Sequence, residues 1–393
     1  MFLLLISFIS SILQSGYAAT QTNIYAYTQA GMFSPNVKNA LFRIYVPNSS
    51  DGTVSVIDPA TYKVIQTFHT GQNPQHIVPS YDLKTLWVLN NKGNSLTPID
   101  PMTAKPGVNI TVDDPYNLYF TSDGKFALVV CEERKQLQFR DPHTMKLLSI
   151  IPLGCYGANH MEFSLDGHYA IVTCEFSGQL VKVDLVKHQV IGTLSFNTTH
   201  AVSTNHVLSN FQITANGNIL TASAGSMSQM KSMPQDIRSS SDGQIFFVAD
   251  MMKDGVILIN SNSLKQVGFI PTGIGTHAIY PSRNGKLFYV SNRGCHETKC
   301  GPHGPGSISV IDPVKKKVVA TWVIPQGGSP DMGNVTADGK ELWLAGRYDN
   351  EVYVFDTVAG KLSHRISVGD EPHGLAVWPQ PGRYSLGHTG NMR

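Results

Sequence analysis

The chain has 393 residues, 41% of them hydrophobic and 15% charged, a balance that buries a large core and excludes an intrinsically disordered protein. Its formal net charge of +2 comes without the basic stripe that a phosphate backbone attracts, so nucleic acid is not an expected partner. Five cysteines are too few for a disulfide framework at this length, and no C-x-x-C-H stands ready to attach a c-type haem.

The first element is an apolar stretch from Phe2 to Leu13, followed by Ser15, Gly16, Ala18 and Ala19, small residues that suit a signal peptidase. Residues 1–19 therefore read as a signal peptide and the protein as periplasmic or secreted, although the usual positive n-region is missing and retention of the segment as an anchor stays open. No later segment approaches the ~20 apolar residues of a membrane-spanning helix. Residues 20–40 form a lead-in segment.

From residue 41 to residue 378 one pattern of about 42 residues recurs. Its first marker is a short β-branched strand closed by Asp58, Asp100, Asp141, Asp184, Asn260, Asp312 or Asp356. Its second is a Gly/Pro-rich turn opening a new strand: Pro74-Gln75-His76, Pro115-Tyr116-Asn117, Ala158-Asn159-His160, Pro234-Gln235-Asp236, Gly275-Thr276-His277, Pro330-Asp331 and Pro372-His373. Between them lie tight turns such as Asp123-Gly124, Asp166-Gly167, Asp242-Gly243, Asn284-Gly285 and Asp338-Gly339, each leading into an apolar strand. With no helical periodicity, each repeat reads as four short antiparallel strands, A to D. Four-stranded units at this period are the blades of an all-β, seven-bladed β-propeller. Residues 41–70 supply strands B, C and D of one blade, and Pro372 to Trp378 only a strand A, so both termini are expected to close the same blade.

Segments such as Phe42-Arg43-Ile44-Tyr45-Val46-Pro47-Asn48 and Lys286-Leu287-Phe288-Tyr289-Val290-Ser291-Asn292 resemble the YVTN-type β-propeller repeat family. The resemblance implies an exported or surface-exposed propeller, related to the propellers of cytochrome cd1 nitrite reductase and nitrous oxide reductase. It specifies fold and leaves activity open.

The A strands of a propeller line its channel, so the residues at which they begin converge on one mouth. These are His76, Asn117, His160, Asp236, His277, Asp331 and His373. Strand B returns to that mouth and delivers Asn91, Glu132, Glu175, Asp250, Asn292 and Arg347. Such a ring suits a small ligand or, through His76, His160, His277 and His373, a transition metal as cofactor. A solvated structural ring is the bland alternative.

Two insertions open on the same face, about residues 196–233 between strands D and A and 295–306 between B and C. The first carries His200, His206, Met227, Met230 and Met233, a run that reads as a hydrophobic lid more readily than as a copper site. The second carries His296, His303 and the Cys295/Cys300 pair, close enough in sequence for a local disulfide. Cys131 and Cys174 read as small buried hydrophobes. The tail, residues 379–393 with Arg383, Tyr384 and His388, is expected to lie across the opposite face.

Three functions fit. One is an exported binding protein recognising a small molecule, metal or protein partner at the insertion-bearing face. Another is a metal-dependent oxidoreductase or hydrolase, with Glu132, Glu175 or Asp236 moving protons. The third is a structural or adhesive surface module. The sequences that mark a nucleophile elbow, a zincin or a P-loop are absent.

Overall fold

The computed structural model describes residues 23–196, 213–215, 218–220 and 230–393. The signal-like segment and His200, His206 and Met227 of the first insertion lie outside the described residues.

Seven four-stranded antiparallel units radiate from a central channel. Blade one runs Pro74–Pro79, Leu86–Asn90, Ser95–Asp100, with its outer strand split into Lys105–Pro106 and Ile110–Thr111. The inner strands of blades two to six are Asn117–Phe120, Ala158–Phe163, Pro234–Ser239, Thr276–Pro281 and Pro330–Val335. Blade seven joins Ala376–Trp378 from one end of the chain to Arg43–Asn48, Thr53–Asp58 and Lys63–His69 from the other, with Ile44 opposite Val377. The shared blade hides two sheet edges at once.

Local chemistry repeats with the blades. After the inner strands of blades one to six a hydroxyl bridges the turn: Ser164 Oγ donates to Asp166 at 2.6 Å and accepts the Tyr169 N–H at 3.1 Å, and Ser80, Thr121, Ser240, Ser282 and Thr336 do the same. The repeating Asp after strand C fastens the next turn, as where Asp141 Oδ1 accepts from the N–H groups of His143 and Thr144. Side chains facing the neighbouring blade form the core: Tyr119, Phe139 and Phe163 are fully buried in one such layer, Tyr45 and Trp378 in another. The outermost strands are wet, and Ile65, Leu148 and Val267 are exposed there.

Close inner packing sets one strong expectation. A Cβ on Gly333, in the inner strand of blade six, would overlap the Trp343 carbonyl across the strand pair. Gly333→Ala is expected to cost about 1–3 kcal/mol of overpacking, read as a lower urea midpoint; an unchanged midpoint would contradict it.

Two disulfides form, Cys295 to Cys300 and Cys155 to Cys174. The second corrects the reading of Cys174 as a plain buried hydrophobe. Ala158 pairs with Cys174 across the first two strands of blade three, and this brings Cys155, just before that strand, within a Cα separation of 6.1 Å. Cys131 is a buried free thiol. Met230 and Met233 are buried with Met251 against Phe176. Among the described residues, no helix is long and apolar enough to cross a membrane.

Candidate metal centre in the channel

Five of the seven ring residues, His76, His160, Asp236, His277 and Asp331, sit where their inner strands are bulged. The register between the first two strands shifts between Pro74 and His76, Ala158 and Met161, Pro234 and Ile237, Thr276 and Ala278, and Pro330 and Gly333. A bulge re-aims the side chain it contains. His76, Asn117, His160, Asp236, His277, Asp331 and His373 are all buried.

Hydrogen bonds pass from blade to blade around this ring. His373 Nδ1 donates to the Gln75 carbonyl at 3.0 Å, and His76 Nδ1 to the Tyr116 carbonyl at 2.9 Å. Asn117, its Oδ1 held by the Leu118 N–H, turns its amide nitrogen to His160 Nδ1 at 3.1 Å.

The tail departs from expectation. It starts on the underside, where Tyr384 stacks on Tyr81 with ring centroids 5.0 Å apart, but then climbs into the channel beside blade two. Phe120 N–H donates to the Leu386 carbonyl at 3.1 Å, and His388 N–H to the Leu118 carbonyl at 2.9 Å. Gly387, at φ +102°, lies so close to the Leu118 carbonyl that no Cβ fits. Arg393 and Asn391 then bind the buried Glu162 carboxylate at 2.9 and 3.2 Å. The tail is a plug, and it delivers a histidine that the reading of the inner strands alone had missed.

Among the described residues two three-donor clusters result, in each of which the ligand atoms lie within 4.8 Å of one another: His160, Asp236 and His388; and His277, Asp331 and His373. His76 belongs to neither, although its ring centroid is 4.8 Å from that of His373 and 5.7 Å from that of His388. Nε2 of His160, His373 and His388 and Nδ1 of His277 are buried without an aligned hydrogen-bond partner, although His373 Nε2 lies 3.5 Å from Asp331 Oδ2 and His388 Nε2 3.5 Å from Asp236 Oδ1. His277 Nδ1 is 2.8 Å from Asp331 Oδ1 but lacks the alignment of a hydrogen bond; the alignment is the stronger criterion.

Electrostatics separates the clusters. Asp236 meets one guanidinium, Arg238 at 2.9 Å, and a second carboxylate, Glu162, shares that charge. Asp331 meets two: Arg293 as a fork at 2.9–3.1 Å and Arg347 at 3.6 Å. Burial opposes ionisation of both carboxyls, yet Arg238 and His388 hold Asp236, and Arg293 and His277 hold Asp331, well below the usual carboxylate range. Burial keeps the imidazoles neutral. His76 falls to about 3, with His388 adding to the effect, and His277 to about 4, with Arg293 adding. His160, His373 and His388 are lowered as well, burial again leading.

Glu132 and Glu175 pair at the ring-bearing face, where burial and then the Glu175 charge push Glu132 well above the ordinary range. Gln235 donates to Glu175 at 2.8 Å. The remaining strand-B residues go elsewhere. Asn292 braces Ser307 and Ser309, Asn91 bonds Asp114, and Asp250 accepts the N–H groups of Met233, Met252 and Lys253. In the second insertion His296 bonds Asp254 at 2.7 Å and His303 lies 3.5 Å from Asp349, each ring spent on a neighbouring turn.

Solved structures share this fold. A functionally unknown protein from Desulfotomaculum acetoxidans DSM 771 aligns with TM-score 0.63 and 14% identity over 86% of this chain and 99% of that one. Hydrazine synthase of Kuenenia stuttgartiensis aligns with TM-score 0.56 and 19% identity over 78% and 91%. Dihydro-heme d1 dehydrogenase NirN, in complex with DHE, aligns with TM-score 0.57 and 13% identity over 89% and 77%. At these identities the likeness is one of fold. No curated protein sequence matches the chain. Residues 25–141 and 218–381, which span most of the blades described above, match one family model, and the chain belongs to that family, the YNCE-like beta-propellers.

Proposed function

We propose that the protein is an exported binding propeller that holds a divalent transition metal ion inside its channel, on Nε2 of His160, Nε2 of His388 and a carboxylate oxygen of Asp236. The signal-like leader supports export. The observation that carries the metal is the set of buried imidazole nitrogens left without partners around an ionised carboxylate. A buried polar atom with no partner costs about 1–3 kcal/mol, and a cation bound by several of them removes that cost together. Two imidazoles and a carboxylate with a position left open suit zinc and its first-row neighbours.

The first cluster is favoured over the second by charge. Around Asp236 the acids Asp236 and Glu162 balance the guanidinium groups of Arg238 and Arg393, whereas Asp331 faces both Arg293 and Arg347. Loading involves Asn117 too. Its amide donates to His160 Nδ1, which leaves the ring proton on Nε2; binding there moves that proton to Nδ1 and turns Asn117 so that its oxygen accepts it.

The test is cobalt(II) and zinc binding by the full chain after chelator treatment, followed by the cobalt absorption bands and by zinc competition. Near-equimolar uptake is expected, with at least a 10-fold loss of affinity in His388→Ala and little change in His373→Ala. No uptake at micromolar metal, or equal loss in both variants, rejects the assignment.

A further inference from the structure

We propose that His76 and Met332 form a separate site for a soft monovalent ion, copper(I) or silver(I), bound between His76 Nε2 and Met332 Sδ.

The two atoms stand 3.3 Å apart, and both residues are fully buried. Nδ1 of His76 carries the ring proton, because it donates to the Tyr116 carbonyl at 2.9 Å and a carbonyl can only accept. Nε2 therefore presents a lone pair to the lone pairs of the thioether. A hydrogen bond to sulfur would need a second proton on the ring, and burial among His160, His373 and His388 disfavours that imidazolium. Two donors without a proton between them form a contact that a shared cation would convert from repulsion to coordination.

The separation fits one ion. Bonds of about 2.0 Å to nitrogen and about 2.3 Å to sulfur, at the ligand–metal–ligand angles of about 100–120° of a three- or four-coordinate ion, put the two donors about 3.3–3.7 Å apart; the ion therefore takes a further ligand, which the unpartnered Nε2 of His373, on a ring centred 4.8 Å from that of His76, can supply. The donor types select the ion. His76 shares no three-donor cluster with Asp236 or Asp331, and the rings around it are those of His160, His373 and His388, so the site is one of imidazole and thioether. Thioether sulfur is a poor ligand for hard cations and a good one for copper(I). Blade geometry fixes both partners: His76 sits in the bulge of the inner strand of blade one, and Met332 one residue after Asp331 in the bulge of blade six.

The test uses the full chain, metal-free, in a Cys131→Ala background so that the buried thiol takes no ion. Silver(I) is titrated by calorimetry, and copper(I) by anaerobic competition with bicinchoninate. Affinity for both ions is expected to fall at least 10-fold in Met332→Leu while the cobalt(II) spectrum of the His160 cluster is kept. X-ray absorption of the copper(I) form of the Cys131→Ala protein itself should show a sulfur scatterer at about 2.3 Å, a readout that does not depend on how Met332→Leu folds. Unchanged silver affinity in a folded Met332→Leu, or a shell of nitrogen and oxygen alone, overturns the proposal. Cobalt uptake without a copper–sulfur shell removes this site only; a copper–sulfur shell without cobalt uptake removes the divalent site only.

Discussion

Metal-free protein is expected to lose stability steeply as the pH falls from about 6.5 towards 5, by roughly 3 kcal/mol per pH unit. His76, His160, His277, His373 and His388 are all depressed in the folded state, His76 to about 3 and His277 to about 4. Below the unfolded value of about 6.5 the unfolded chain takes up protons that the native channel refuses. The stability these rings contribute is therefore complete above that pH and is lost as the pH drops towards the folded values. Each contributes about 1.4 kcal/mol per pH unit in that window. Carboxyls with raised values work in the opposite sense, chiefly Glu132, pushed well up, and Asp114, pushed to about 6. Together with Glu175 and Asp250, which burial also raises, they offset about three of the five histidines and leave roughly two as the net slope. Urea midpoints at pH 8, 7, 6 and 5 in chelator measure it; a midpoint that is flat or rises on acidification contradicts the neutral-histidine channel. A bound ion keeps its imidazoles deprotonated, so zinc should move the onset to lower pH.

The second large effect concerns Arg238. Its side chain is buried against Asp236 at 2.9 Å and donates also to the Ile237 carbonyl. Arg238→Met leaves Asp236 ionised without its strongest partner, and the loss should be about 3–5 kcal/mol. Adding Asp236→Asn removes the stranded charge and should return much of that loss, because the orphaned carboxylate and not the missing guanidinium carries most of the penalty. Denaturation of the two single variants and the double variant checks this as a thermodynamic cycle. A double variant less stable than Arg238→Met would show that the pair is not coupled in this way. Asp236→Asn should also weaken cobalt binding, which ties the stability of the channel to its chemistry.

The propeller could be read because its causes are local and repeated. A hydroxyl or Asp in a turn works through neighbours two to five residues away, as Ser164 does with Asp166 and Tyr169, so seven copies of one pattern announce seven copies of one unit. The ring residues were legible for the same reason, since the start of each inner strand is marked by its own turn. Their partnerships were not. Arg238 and Arg293 bear no mark in the repeat, yet they decide the charge state of Asp236 and Asp331. Met332 follows Asp331 in the same bulge, and only the ring closing on itself shows that it faces His76, 256 residues away in sequence.

What the sequence determined by itself is the blade, its count, the closure through both termini, and the list of polar residues at the inner strand starts, all of which follow from short-range periodicity. What the tertiary structure decided is how that list divides. The tail is not a repeat, so no periodicity says where it goes. Its backbone pairs with blade two, its Arg393 finds Glu162, and His388 thereby arrives beside His160 and Asp236. The disulfide from Cys155 to Cys174 was equally hidden, because it depends on strand register. Blade geometry is set by neighbours along the chain; donor sets in a channel are set by neighbours around a circle, and the order of residues along a sequence carries little of that distance.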